Sequence, residues 1–315
     1  MGVGMSAGKF FLKMGTRGSP LALVQAHMAR AAVARSSHVP ETEIEIVIIK
    51  TTGDAIQDRA LSQAGGKGLF TKELDTALID GAIDFAVHSA KDLPTKLPGE
   101  LEISGYLPRE DAREALISAQ ASSVAALPRG ATLGSASLRR QAMMLRLRPD
   151  LTVTLLRGNV ETRLRKVESG EIGVTLLALA GLKRLGFAHR AAAILDIADF
   201  LPAVGQGAVA VTARRGDTAV AKALWPILDI PTGIAVSAER AFLEVLDGSC
   251  RTPIAGHGLI SSAGRLEFHG LVLRPDGGES HDVKFIGVPA DAARLGADAG
   301  RELLSRIPRD ILQHA

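Results

Sequence analysis

The chain has 315 residues, of which 46% are hydrophobic and 23% are charged, so it is too long for one small module and too apolar for a disordered protein. Its 37 basic and 34 acidic residues give a net charge of +3, which identifies no partner. Aromatic residues make up only 3%, which disfavours the stacking surfaces of single-stranded nucleic-acid binders, and no apolar run is long enough to cross a membrane.

The first two-thirds of the chain alternate short β-branched runs with amphipathic helical stretches, the pattern of α/β folds with parallel sheets and crossover helices. Ser19-Pro20 predicts the start of the first helix, because serine caps helices and proline fits their first turn. A strand, a second helix and another strand are predicted at residues 44–49, 69–80 and 83–87.

The pattern restarts after Pro108, with helices predicted from Ser137 and Asn159. An apolar strand at residues 208–211 is interpreted as returning the chain to the first sheet. Beyond Pro231, helices and strands are segregated, which is typical of α+β domains. The predicted domains are residues 10–107 with 208–226 (α/β), residues 113–201 (α/β) and residues 230–315 (a small α+β domain).

Arginines are concentrated where helices are predicted to begin. Arg139 and Arg140 follow Ser137, and Arg157 and Arg163 flank the helix start at Asn159. Helix N-termini favour anions, and guanidinium groups bind carboxylate or phosphate through two hydrogen bonds. For one such pair, solvated surface charge is the simpler interpretation. Repetition on successive units, with Arg17 before the first helix, favours an anion site.

Two loops between predicted elements carry further candidate groups. Gly65-Gly66-Lys67-Gly68 is compatible with an anion-binding loop or an ordinary turn, and it lacks the Ser or Thr of a nucleotide P-loop. In His88-Ser89-Ala90-Lys91-Asp92, the carboxylate is suited to stabilising a cation or moving a proton, and the lysine to holding an anion. A surface turn with an incidental ion pair explains the second segment equally well.

The single cysteine, Cys250, excludes an intrachain disulfide and makes a cysteine-based metal cluster implausible, so no metal is predicted. Glycine, serine and proline around Cys250 indicate a loop, where the thiol is accessible and Arg251 lowers its pKa. Lone cysteines are also common as small buried hydrophobic residues, and both interpretations stay open on composition alone. A thiol that stays reduced favours a cytoplasmic location.

Together, these segments resemble the porphobilinogen deaminase (hydroxymethylbilane synthase) family of haem and tetrapyrrole biosynthesis. The resemblance extends from about Met14 to the C-terminus, and its motifs occur in the family's order. They are Thr16-Arg17-Gly18-Ser19-Pro20, Thr52-Gly53-Asp54, Gly65-Gly66-Lys67-Gly68-Leu69-Phe70, His88-Ser89-Ala90-Lys91-Asp92, Ser137-Leu138-Arg139-Arg140-Gln141, Leu156-Arg157-Gly158-Asn159-Val160, Ala180-Gly181-Leu182-Lys183-Arg184, Pro202-Ala203-Val204-Gly205-Gln206-Gly207 and Gly248-Ser249-Cys250.

The resemblance implies two domains like the halves of a periplasmic binding protein and a third domain with a cysteine that holds a dipyrromethane cofactor through a thioether. Members of this family are transferases that join four porphobilinogen molecules onto the dipyrromethane, which acts as a primer, and release ammonia and hydroxymethylbilane. The implied catalytic residue is Asp92, which stabilises the azafulvenium cation formed when ammonia leaves. The implied cofactor-binding residues are Cys250, Lys91, Ser135, Ser137, Arg139, Arg140, Gly158 and Asp54, and the implied substrate-binding residues are Arg17, Ser19, Lys67, Phe70, Ser89, Arg157, Arg163, Arg184 and Gln206.

This chain departs from the family's usual pattern at three positions. Ala136 stands where a hydroxyl residue is usual, Ser249 replaces a glycine, and Ala112 replaces a proline. These differences concern contacts with the cofactor's acidic arms, and they leave Asp92 and Cys250 in place.

Two other function classes remain as alternatives. A two-domain anion-binding protein without catalysis accounts for the arginines but leaves Asp92 and Cys250 without a role. Nucleic-acid binding through residues 139–165 is disfavoured by the interspersed acidic residues. We therefore expect a cytoplasmic monomer that binds porphobilinogen and has no nucleic-acid or membrane partner.

Overall fold

The computed structural model describes residues 11–55, 68–246, 253–308 and 310–313. The strands are β1 (Leu12–Thr16), β2 (Ile44–Ile48), β3 (Phe85–Ser89), β4 (Leu101–Tyr106), β5 (Glu114–Ile117), β6 (Thr132–Gly134), β7 (Thr152–Thr154), β8 (Val174–Ala178), β9 (Ala193–Leu195), β10 (Val209–Arg214), β11 (Ile254–Ile260), β12 (Leu266–Leu273) and β13 (Ser280–Gly287). The α-helices are α1 (Pro20–Ser37), α2 (Thr52–Ala55), α3 (Lys72–Ile79), α4 (Leu138–Leu147), α5 (Val160–Glu168), α6 (Leu179–Arg184), α7 (Thr218–Leu224), α8 (Ile230–Val245), α9 (Ala292–Arg306) and α10 (Asp310–Gln313).

Two five-stranded sheets share one layout. The first has the strand order β2-β1-β3-β10-β4, and the second has the order β7-β6-β8-β5-β9. In each, the first three strands are parallel and the fourth is antiparallel to both of its neighbours. Each fourth strand arrives directly from the other half of the molecule, and the parallel sheets expected from the sequence are therefore mixed.

Two connections join these halves. The first crossover (residues 107–113) leads from β4 into β5, and the second crossover (residues 196–208) leads from β9 into β10. They pack closely, since a Cβ atom added to Gly207 would lie 2.2 Å from the carbonyl oxygen of Glu110. Gly207 also has a φ of +86°, so glycine is required there on both grounds.

Local sequence explains where the helices that face the site begin. The Ser19 hydroxyl accepts from the Ala22 amide at the start of α1, and the Ser137 hydroxyl accepts from the Arg140 amide at the start of α4. Asn159 caps α5 by accepting from Thr162. These three starts agree with the predicted ones, because N-capping depends on a few adjacent residues.

The third sheet is an antiparallel meander of β11, β12 and β13, covered by α8 and α9. A buried ion pair attaches it to the crossovers. Glu239 of α8 accepts from Arg109 Nη1 at 2.6 Å, from the Gly205 amide at 2.6 Å and from the Gly258 amide at 2.8 Å. The side chain of Glu239 is fully buried, so this junction depends on its charge being matched.

The fold class is confirmed: two α/β units are followed by a small α+β unit. The exact domain boundaries stay a prediction. Within the described ranges, no single helix is long and apolar enough to cross a membrane; α7 and its continuation to Ile227 meet that criterion only together with α8, across a bend of 108°.

Candidate active site

A small cavity opens at the end of β3 in the first sheet. Ser89 ends that strand, and a single 3-10 turn then carries Lys91 and Asp92. The cavity is small, with a volume of about 60 Å³. Its polar and aromatic lining includes Arg17, Ser19, Gln25, Phe70, Ser89 and Asp92.

Arg17 lines this cavity and contacts three neighbouring side chains. Two of its guanidinium nitrogens donate to the Asp54 carboxylate, and Phe70 lies under the guanidinium with 4.1 Å between Cζ and the ring centroid. The third nitrogen, Nη1, lies 3.6 Å from Asp92 Oδ2. Burial opposes ionisation of Asp54, but hydrogen bonds from Arg17 and Thr51 lower its pKa. Arg17 therefore engages Asp54 more closely than it engages Asp92.

The remaining polar groups of the cavity are neutral hydrogen-bonding groups. Gln25 and Ser89 bond to each other at 3.0 Å, and His88 Nε2 lies 3.0 Å from the Thr212 hydroxyl. Burial and the nearby Arg17 charge lower the pKa of His88 to about 4, so this imidazole is neutral at pH 7. Asp92, with 32% of its side chain exposed, is the acidic group among the residues that line the cavity.

Two arginines of the second sheet share one buried carboxylate. The fully buried Glu114 accepts from Arg139 and, at 2.9 Å, from Arg140 Nη2. Only 6% of Arg139 and 7% of Arg140 is exposed. Burial opposes ionisation of Glu114, but the two guanidinium charges hold its pKa far below its usual range.

Further cations approach this arginine pair from both halves of the molecule. Burial and the charge of Arg140 lower the pKa of Lys91 to about 8, while Asp92 and Glu114 act in the opposite direction. Arg163 is affected similarly: burial, Arg140 and Arg157 lower its pKa to about 10. Crowding of like charges destabilises the protonated forms. A ligand that carries several carboxylates would relieve that repulsion.

The serine and glycine residues that were predicted to bind the cofactor hydrogen-bond to neighbouring residues in this structure. The Ser135 hydroxyl accepts from the Ser137 amide at 3.1 Å, and the Ser137 hydroxyl caps α4. Gly158 has a φ of +109°, and its carbonyl accepts from Arg163 Nε at 2.9 Å. These residues shape the helix starts that carry the arginines.

Arg184 and Gln206 lie at the crossovers. Arg184 Nη2 donates to the Gly207 carbonyl at 2.7 Å. The buried Gln206 donates to the Ala112 carbonyl at 2.8 Å, and its amide oxygen lies 3.5 Å from Lys91 Nζ. Gln206 therefore connects a cleft cation to the backbone that joins the two halves.

Two predicted site residues, Lys67 and Cys250, lie outside the described residues. Among the described residues, no group of three or more histidine, cysteine, aspartate or glutamate side chains is arranged to hold a metal ion.

The site combines two electrostatic environments. At the cavity, the Asp92 carboxylate lies beside Arg17 and also interacts with Lys91 and Arg163; on the other side, Lys91, Arg139, Arg140 and Arg163 outnumber Glu114. The first environment stabilises positive charge that develops on a bound molecule, and the second binds carboxylates.

Comparisons with known proteins agree with this arrangement. A family model described as "Porphobilinogen deaminase, dipyromethane cofactor binding domain" matches residues 12–222, and one described as "Porphobilinogen deaminase, C-terminal domain" matches residues 234–305. The chain belongs to the porphobilinogen deaminase family. The predicted family and the predicted dipyrromethane cofactor are thereby confirmed.

Individual relatives are similar over almost the whole chain. A porphobilinogen deaminase of Nitrobacter winogradskyi is 57% identical over 293 residues, covering 93% of this chain and 92% of its own. One of Nitrobacter hamburgensis is 56% identical with the same coverage.

A solved periplasmic substrate-binding protein of an ABC transporter from Coxiella burnetii aligns over 73% of this chain and 97% of its own, with 12% identity and a TM-score of 0.45.

Sequence reasoning missed two participants in the site of this family member, Glu114 and Gln25, and one buried ion pair at the junction with the third sheet. In the sequence, Glu114 resembles a surface residue because Asp111 and Arg113 nearby are also charged. Only the structure shows that Glu114 is buried at the start of β5. Gln25 lies next to the apolar stripe of α1, so the sequence pattern did not indicate a site residue there. In the structure, it contacts Ser89 in the cavity. The Arg109–Glu239 pair joins residues 130 positions apart, which no local pattern indicates.

Proposed function

We propose that this protein is a porphobilinogen deaminase, a transferase that joins four porphobilinogen molecules head to tail on a dipyrromethane bound to Cys250, releases ammonia at each addition, and releases hydroxymethylbilane by hydrolysis of its bond to the primer. The observation that carries the proposal is the carboxylate of Asp92 in the cavity lining next to an excess of cations. Each porphobilinogen has an acetate and a propionate, so the bound chain requires many cationic partners.

We assign a role to each group of site residues according to its surroundings. Arg139, Arg140, Arg163 and Lys91 bind carboxylates of the cofactor and the growing chain, and Arg157 extends that surface. Dipyrromethane, when bound, supplies the pyrrole carbon at which the chain grows. The thiol of Cys250 is the proposed attachment point, because it is the only thiol in the chain.

Asp92 is proposed to act where ammonia leaves. Its carboxylate accepts a hydrogen bond from the pyrrole N–H of the bound porphobilinogen and stabilises the positive charge that develops as the C–N bond breaks. Arg17, fixed by Asp54 and Phe70, orients Asp92 and binds an acidic arm of the substrate. Ser19 and Ser89 are positioned on the cavity wall for hydrogen bonds to such an arm.

The alternative of an anion-binding protein without catalysis fits this geometry less well. A carboxylate at 32% exposure within the cavity repels a simple anion, whereas it stabilises a substrate that becomes cationic. We also propose a cytoplasmic monomer that acts on porphobilinogen and has no nucleic-acid or membrane partner, which suits a thiol that must be reduced to receive the cofactor.

Porphobilinogen turnover tests the proposed function. The cofactor-loaded protein is expected to release four molecules of ammonia for each hydroxymethylbilane formed, and the Asp92→Asn variant serves as its catalytically impaired comparison. Binding of porphobilinogen with no ammonia released would identify an anion-binding protein instead.

The lowered pKa of Lys91 predicts a pH dependence of cofactor assembly. Lys91 is protonated below its pKa of about 8 and loses its charge above it, so carboxylate binding weakens as the pH rises from 7 to 9. In Lys91→Arg the charge persists throughout this range. We expect apoprotein mixed with porphobilinogen to gain cofactor mass more slowly at pH 9 than at pH 7, with a smaller decrease in Lys91→Arg. Identical pH profiles would show that titration of Lys91 plays no part.

A further inference from the structure

Glu114 is the first residue of β5, and its carboxylate lies between two arginine side chains. Oε1 accepts from Arg139 Nη2 and from Arg140 Nε, the latter at 3.1 Å, while Oε2 accepts from Arg140 Nη2 at 2.9 Å. The carboxylate thus engages Arg140 through two parallel hydrogen bonds, which fix the plane of that guanidinium as well as its position.

The same contacts anchor Arg139 to both crossovers. Glu114 directly follows the first crossover, and the Leu201 carbonyl, within the second, accepts from Arg139 Nη1 at 2.8 Å. With Nη1 and Nη2 each bound to a different segment, the guanidinium of Arg139 has one orientation. Among the described residues, no hydrogen-bond acceptor is found for Arg140 Nη1, which remains available to a ligand.

Removal of the Glu114 charge would have two opposing consequences. The local positive charge would increase, which strengthens long-range attraction of a carboxylate ligand, but water and salt screen that attraction beyond about 10 Å. The two guanidinium groups would also repel each other and regain rotational freedom. Because loading requires carboxylates and guanidinium groups to meet at hydrogen-bond distance, we expect the loss of orientation to dominate.

We propose that Glu114 is a positioning residue that holds Arg139 and Arg140 side by side for the carboxylates of dipyrromethane and of the growing chain. This role rests on the proposed function, because it requires a ligand rich in carboxylates. Glu114 acts through the arginines and does not itself contact that ligand.

Cofactor loading of the Glu114→Gln apoprotein tests this role. Glutamine preserves the size of the side chain and one acceptor oxygen but removes the charge. When apoprotein is mixed with porphobilinogen, the gain of cofactor mass, followed by intact mass spectrometry, is expected to be about 10 to 100 times slower than in the wild type. The readout is assembly of the cofactor, so it does not depend on activity of the loaded enzyme.

Glu239→Gln is the matched control. Glu239 is as fully buried as Glu114 and also binds an arginine, Arg109, but it lies at the junction with the third sheet. We expect Glu239→Gln to lower the stability of the protein while cofactor loading of the folded fraction keeps the wild-type rate. This separates positioning of the cleft arginines from a general effect of removing a buried carboxylate.

Each outcome decides for or against the role of Glu114. Wild-type loading in Glu114→Gln, or equal slowing in both variants, would overturn it. If Glu114→Gln fails to fold, Glu114→Asp provides the decision, because it keeps the charge but withdraws the carboxylate by one methylene; intermediate loading supports positioning, and wild-type loading refutes it. A wild-type protein that gains no mass would instead contradict the proposed function.

Discussion

Asp92→Asn is expected to reduce porphobilinogen turnover by about two orders of magnitude or more, the scale of removing a preorganised electrostatic stabiliser. Asparagine keeps the size of the side chain but cannot offset a developing positive charge. Arg17 keeps its contacts with Asp54 and Phe70, so the cavity should remain intact. We therefore expect normal folding and retained porphobilinogen binding with a selective loss of rate.

Ammonia release in single-turnover experiments measures this effect. Asp80→Asn, the same chemical change at an exposed position after α3, provides the control and should keep the wild-type rate. Turnover of Asp92→Asn within a few-fold of wild type would remove Asp92 from the mechanism.

Arg139→Leu is expected to impair both stability and cofactor loading. Removing one partner of a buried ion pair typically costs about 3–5 kcal/mol, and the lower end applies here because Arg140 still binds Glu114. The variant also loses the hydrogen bond to the Leu201 carbonyl. Loading should slow, since a cation proposed to bind the cofactor's carboxylates is gone.

Arg157→Leu is the informative comparison for that effect. Arg157 is only half-buried, so its truncation should change the free energy of unfolding by less than about 1 kcal/mol while still slowing loading. Denaturant unfolding of the apoproteins and mass-monitored loading measure the two effects separately. If both variants load as the wild type does, the arginines at the helix starts do not bind the cofactor.

Those elements whose limits depend on adjacent residues could be predicted from the sequence. Ser19-Pro20, Ser137 and Asn159 mark helix starts that the structure reproduces. The antiparallel fourth strand of each sheet was less accessible to prediction, because strand direction there depends on how the crossovers connect the two halves.

The partners of the predicted site residues could not be predicted from spacing. Arg139 and Arg140 were expected to bind carboxylates of a ligand, and the structure shows a protein carboxylate, Glu114, already between them. That contact spans 25 positions and depends on burial of a charged residue at the start of an apolar strand. The roles assigned to Lys67 and Cys250 stay predictions, since both lie outside the described residues.

The covalent cofactor is the central claim, and the intact mass of the purified protein tests it most directly. Protein made in a host that synthesises porphobilinogen should exceed its sequence mass by a dipyrromethane built from two porphobilinogen units, and the increment should survive denaturation. Cys250→Ser should have the bare sequence mass and give no colour with an acidic aldehyde reagent for pyrroles. A wild-type protein at its sequence mass, or an increment that persists in Cys250→Ser, would contradict the account.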